Sequence, residues 1–162
     1  METQVIALEY QVANDVDELP EQDMVLITRA AEASEKATAP YSGFCVGAAI
    51  LLENGQIITG NNQENPAYPS GLCAERVALF YASAQFPGVA VKAIAITARS
   101  RHGQIDRPVP PCGACRQVMA DMENRNGQDM RVVMRGQSGP VMICNSINML
   151  LPLSFVDEYL PK

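Results

Sequence analysis

The 162-residue chain has no tryptophan and one histidine, His102. That histidine sits between Arg101 and Gly103 in a polar stretch, with no evident partners for a nucleophile triad, and reads as a surface residue. Basic residues are scarce: 12 Lys and Arg stand against 18 Asp and Glu, for a net charge of −6. Without a basic stripe to neutralise phosphates, a dedicated grip on a nucleic-acid backbone is not expected. No apolar run is long enough to span a bilayer, and Met1 to Gln22 lacks the basic-then-apolar order of a secretory leader. A cytoplasmic protein with no membrane partner is therefore expected. Internal repeats and low-complexity segments are also missing. Hydrophobic residues at 48% and charged residues at 19% are ordinary for a folded domain. The length fits one core, read as residues 21–162 behind an acidic lead-in, 1–20.

Five cysteines, at 45, 73, 112, 115 and 144, are an odd number. With no export signal, metal or catalytic use outranks a disulfide framework. Cys45 and Cys144 lie in apolar runs and read as small buried hydrophobes. The other three lie in the segments Cys73-Ala74-Glu75-Arg76 and Pro111-Cys112-Gly113-Ala114-Cys115-Arg116.

Periodicity places these segments. Glu21 to Ala39 reads as a helix stopped by Pro40. Phe44 to Glu53 and Gln56 to Asn61 read as a hairpin around Asn54-Gly55. A polar loop from Asn62 to Gly71 follows, then a helix over Leu72 to Phe86. Val91 to Ala98 reads as a central strand. A second cysteine-bearing helix runs from Cys112 to Glu123. Strands over Arg131 to Met134 and Pro140 to Cys144, then a short helix near Ser146 to Leu151, complete the order. The alternation predicts an α/β sheet with helices on both sides, and both cysteine segments at helix N-termini.

Cys112 and Cys115 are three apart and face the same way on a helix's first turn. The unpaired N–H groups there favour the thiolate. Alone, the pair could equally be a buried helix start or a redox Cys-X-X-Cys. Cys73, in a matching setting, supplies a third ligand, and three protein ligands with an open fourth position define a catalytic zinc site. Glu75 is too close to Cys73 to be a comfortable fourth ligand, but it can move protons beside the metal. Three thiolates overcompensate a divalent cation; of Arg76 and Arg116, which both lie close to the ligands in sequence, Arg76 is expected to offset the charge.

These pieces resemble the zinc-dependent cytidine deaminase family, in its small homotetrameric three-cysteine branch. The resemblance runs from about Tyr41 to Phe155. It rests on Tyr41-Ser42-Gly43-Phe44, Val46-Gly47-Ala48-Ala49, Asn62-Gln63-Glu64-Asn65, the two cysteine segments and Leu150-Leu151-Pro152. It implies a three-layer α/β/α fold with a mixed, about five-stranded sheet. One Zn2+ per subunit would sit on Cys73, Cys112 and Cys115. The activity would be hydrolytic deamination of cytidine and/or deoxycytidine to the uridine counterpart plus ammonia, in pyrimidine salvage, with Glu75 as proton shuttle. It further implies that Asn62 and Glu64 hold a ribose hydroxyl and that Phe44 packs on the pyrimidine. The Ala74 backbone would meet the base's polar edge, and Arg76 would compensate thiolate charge. Tyr68 and Phe155 would lie near a neighbouring subunit's pocket in a homotetramer with shared sites. Two departures touch the pocket: Cys45 stands where the family commonly has proline, and Pro66 where a small residue is usual.

Overall fold

The computed structural model describes residues 1–156, 159 and 160. Six strands form one sheet in the order β1-β6-β5-β4-β2-β3. These are β1 (Gln11–Ala13), β2 (Phe44–Leu52), β3 (Ile57–Asn61), β4 (Val91–Ser100), β5 (Arg131–Arg135) and β6 (Val141–Cys144). Among the named strands of the described residues, only β4 and β5 pair in parallel, so the sheet is mixed. Helix α1 (Glu21–Glu35) covers one face; α2 (Ala74–Gln85) and α3 (Gly113–Asn126) cover the other. This is the expected three-layer arrangement, and β4 is central.

Both faces of the middle strands are buried, which is why their sequences read as near-continuous apolar runs instead of alternating ones. Ile50, Leu52, Ile94 and Ile96 pack under α2 and α3 with Leu79 and Met119. Ala49, Leu51, Ala93 and Ala95 pack against Leu26, Ile27 and Ala30 of α1. Cys45 and Cys144 are buried in strands, as expected.

The sixth strand comes from the lead-in. Gln11–Ala13 pairs antiparallel with Val141–Ile143, and Ala13 and Leu19 join the core on the α1 side. Helix α1 ends at Glu35, four residues before its expected stop. The reason is tertiary: the Thr38 N–H donates to the Asn62 carbonyl at 3.0 Å, and the Glu64 N–H donates to the Thr38 carbonyl at 2.8 Å. Those bonds pull the chain out of helical geometry and fix the start of the polar loop.

Two glycines set how closely helices approach the sheet. A Cβ on Gly47 would fall 1.9 Å from the Ala30 carbonyl oxygen of α1. One on Gly60 would fall 2.6 Å from both the Ala74 oxygen and the Ala78 nitrogen of α2. Neither space exists for a methyl group, so both helices lie directly on strand backbone.

Two buried acids tie elements together. Asp23 of α1 accepts two hydrogen bonds from Arg131 of β5, at 2.7 and 2.9 Å. Glu123 of α3 accepts from the Met130 N–H at 2.7 Å, the Ile147 N–H at 3.1 Å, the Ser146 hydroxyl at 2.7 Å and the Asn148 amide at 3.0 Å. All four partners donate, two to each oxygen, so Glu123→Gln would turn an NH2 group toward two of them. That substitution is expected to cost about 2 kcal/mol and to lower Tm by roughly 4–8 °C for a chain of this size, read by thermal unfolding.

Candidate metal centre and cavity

Cys73 and Cys112 are the N-cap residues of α2 and α3, and Cys115 lies within the first turn of α3. Neither N-cap side chain makes a capping bond, so the sulfurs remain available. Cys73 Sγ lies 3.8 Å from Cys112 Sγ, and Cys112 Sγ lies 3.5 Å from Cys115 Sγ. All three sulfurs fall within 4.8 Å of one another. Tetrahedral zinc with Zn–S bonds of about 2.3 Å requires sulfurs about 3.8 Å apart, so the thiol set fits that metal.

The electrostatics point the same way. Three thiols this close cannot all ionise by themselves. Cys73 is held well below the usual thiol range by a hydrogen bond from the Cys115 thiol, with Arg76 and Cys112 adding to it. Cys115 is pushed up by the same bond and by burial. A divalent cation removes that conflict by stabilising every thiolate at once. Arg76 Nη2 stands 3.6 Å from Cys73 Sγ. Arg116 turns elsewhere, its Nε and Nη1 donating to the Pro111 and Leu150 carbonyls at 2.8 and 2.7 Å. Glu75 is only 4% exposed; burial, and then the nearby Cys73 thiolate, raise its carboxyl above the ordinary carboxylate range. A carboxyl tuned upward can hold a proton near neutral pH.

A cavity of about 730 Å³ opens over this centre. Cys73, Cys112, Glu75 and Arg76 line it together with Phe44, Asn62, Glu64 and Tyr68. Of the residues singled out in the sequence, these eight line one space, while Ala74, Cys115 and Phe155 do not. Phe44 is half-buried on its wall, and Tyr68 stands at 80% exposure. Ala74 is fully buried and opens α2. Phe155 lies elsewhere on its own chain, in a groove beside Phe80 and Val118, with its carbonyl accepting from Gln117 at 2.7 Å. His102 is exposed and rests over Gly43.

Two features were not legible from spacing. The Asn62 amide is largely engaged with β2: its Oδ1 accepts from the Val46 N–H at 2.7 Å and its Nδ2 donates to the Phe44 carbonyl at 2.9 Å. Glu64 accepts from the Tyr41 N–H at 2.8 Å and from both the N–H and hydroxyl of Ser42. The Ser42 hydroxyl, then the Tyr41 N–H, hold its carboxyl below the usual range. Ser42 was visible only as part of a motif, 22 residues away from its partner.

A layered α/β sheet with three thiols at two helix N-termini, and a buried acid beside them, is the arrangement of a zinc-dependent hydrolase. Comparison with known proteins narrows this. The cytidine and deoxycytidylate deaminase zinc-binding region matches residues 20–127. A cytidine deaminase of Halalkalibacterium halodurans is 42% identical over 134 residues, covering 83% of this chain and 94% of the relative. One of Sporosarcina psychrophila is also 42% identical, covering 82% and 90%. The crystal structure of a cytidine deaminase from Burkholderia pseudomallei superposes with a TM-score of 0.71 at 40% identity, over 85% of this chain and all of that one. The chain belongs to the cytidine and deoxycytidylate deaminase family, and zinc is its cofactor.

Proposed function

We propose that the protein hydrolyses cytidine, deoxycytidine or both to the corresponding uridine nucleoside and ammonia, within pyrimidine salvage. The observation that carries this reading is that Cys73, Cys112 and the buried Glu75 line one cavity together with Asn62, Glu64 and Phe44. Relatives named as cytidine deaminases support it.

Zinc held by Cys73, Cys112 and Cys115 would lower the pKa of water toward neutrality and so supply the nucleophile. The chain's own groups do the rest. Asn62 and Glu64 hold a sugar hydroxyl, and the Phe44 ring packs on the pyrimidine. Amides at the start of α2, around Ala74, face the base's polar edge. Glu75 takes up the proton that water loses and delivers it to ring N3 as the oxygen bonds to C4; the proton left on that oxygen then passes through the same carboxyl to the amine as the C4–N bond breaks, releasing ammonia. Arg76 offsets the charge of Cys73.

Residues 21–162 are read as one deaminase domain to which β1 of the lead-in attaches; of these, 157, 158, 161 and 162 lie outside the described residues. Tyr68 and Phe155, at 80% and 57% exposure, are read as facing neighbouring subunits' cavities in a homotetramer. No helix among the described residues is long and apolar enough to cross a membrane. The net charge of −6 supports a free nucleoside over a nucleic-acid strand as substrate. All five cysteines are free thiols, which fits a reducing compartment and supports a cytoplasmic location, with cell fractionation as its check.

One preparation tests the reading. Loss of cytidine absorbance, zinc content and solution mass are expected to give turnover, one ion per chain and four chains per particle. Zinc-loaded protein that turns over no free nucleoside would overturn the function, and a monomeric active enzyme would overturn the shared sites. Glu64→Ala should raise KM for cytidine about 10–100-fold, the loss expected from a hydrogen bond to a charged group; an unchanged KM would remove Glu64 from the sugar site.

A further inference from the structure

The sugar-facing end of the cavity depends on groups that are nearly saturated. Glu64 Oε2 accepts the Tyr41 N–H at 2.8 Å and the Ser42 N–H at 3.3 Å, while Oε1 accepts the Ser42 hydroxyl. A carboxylate offers about four acceptor positions, so one is left among the described residues, on the oxygen that Ser42 holds. Asn62 has two amide N–H donors, and one is spent on the Phe44 carbonyl. One acceptor on Glu64 and one donor on Asn62 therefore remain, a complementary pair for a single hydroxyl, beside the second lone pair of Asn62 Oδ1, whose first takes the Val46 N–H.

The Ser42 hydroxyl is itself fixed. It accepts the Phe44 N–H at 3.0 Å and donates to Glu64. The proton therefore points at Oε1. The two backbone N–H groups grip only Oε2. Without the hydroxyl, the plane of the carboxylate loses its second point of attachment, and the free lone pair of Oε1 is no longer aimed.

We propose that Ser42 is a positioning residue for substrate recognition, its hydroxyl orienting the Glu64 carboxylate so that Oε1 and the free Asn62 N–H together take one sugar hydroxyl. This rests on the nucleoside reading given above. Ser42 acts through Glu64 and spends its only donor there, so it cannot also donate to the substrate. The same hydroxyl accepts the Phe44 N–H at 3.0 Å, and that bond fixes the direction in which its proton points.

The test compares wild type, Ser42→Ala and Ser42→Thr on cytidine and on 2′,3′-dideoxycytidine, which lacks both ring hydroxyls. Ser42→Ala should raise KM for cytidine about tenfold, the order expected for one charge-assisted hydrogen bond, with kcat changed less than about twofold and zinc content unaltered. On dideoxycytidine the same substitution should change kcat/KM by less than about twofold, because the hydroxyl that Glu64 would grip is absent. Ser42→Thr, which keeps the hydroxyl, should restore KM for cytidine. Equal losses on both substrates would mean that Ser42 merely supports the loop, and would overturn the inference, as would an unchanged KM in Ser42→Ala. Wild-type protein inactive on cytidine would instead bring down the nucleoside reading, and this inference with it.

Discussion

Replacing Glu75 by glutamine should lower kcat about 10²–10⁴-fold, the usual worth of a positioned general acid/base, while zinc stays bound. The substitution keeps size and shape in a site where the side chain is only 4% exposed, so the fold has no reason to change. What disappears is the ability to hold a proton. Burial raises the Glu75 carboxyl, and that shift suits it to accept a proton at one step and give it up at the next. An amide does neither. The three sulfurs within 4.8 Å of one another form a ligand set without Glu75, which is why metal content should survive. Steady-state rates on cytidine beside metal analysis of the same samples provide the check. Undiminished turnover would remove Glu75 from the chemistry; loss of zinc would make it a ligand.

Cys73→Ala should strip the protein of both metal and activity. Cys112 and Cys115 belong to one helix turn, and Cys73 is the ligand that brings in α2. Two thiols alone leave half of a tetrahedral site to solvent. The loss in zinc affinity should exceed the roughly 10–100-fold cost of removing a residue that only supports a ligand. Arg76, whose Nη2 stands 3.6 Å from the Cys73 sulfur, would lose its anion as well. Chelator competition measures the affinity and nucleoside turnover the consequence. A redox Cys-X-X-Cys protein would behave differently, since its chemistry needs only Cys112 and Cys115; full function in Cys73→Ala would favour that alternative.

Much of this was legible in the chain because its signals are local. Asn54-Gly55 marks a hairpin by turn chemistry. Near-continuous apolar runs at Phe44–Leu52 and Val91–Ala98 mark strands buried on both faces. Cysteines just before apolar-periodic stretches mark ligands at helix starts. The features that escaped depend on partners far away in sequence. Gln11-Val12-Ala13 is too short and too mild in β-propensity to announce a strand; it becomes one because β6 offers an open edge. The early stop of α1 follows from bonds between Thr38 and the Asn62–Glu64 loop. Glu123 looks like one more polar residue near a helix end until Met130, Ser146, Ile147 and Asn148 converge on it. The grip of Ser42 on Glu64 likewise spans 22 residues.

Gly60 carries a consequence for what the cavity can admit. Strand β3 bears the first turns of α2 on that bare backbone position, and so fixes the depth of Cys73 and Glu75. Two residues further along the same run of chain stands Asn62, a step of about 7 Å in extended geometry. The spacing between the first turn of α2, with Cys73 and Glu75, and Asn62 is thus set by the backbone of one strand and its continuation. Molecules entering the cavity are sized against a ruler whose zero mark is a missing methyl group.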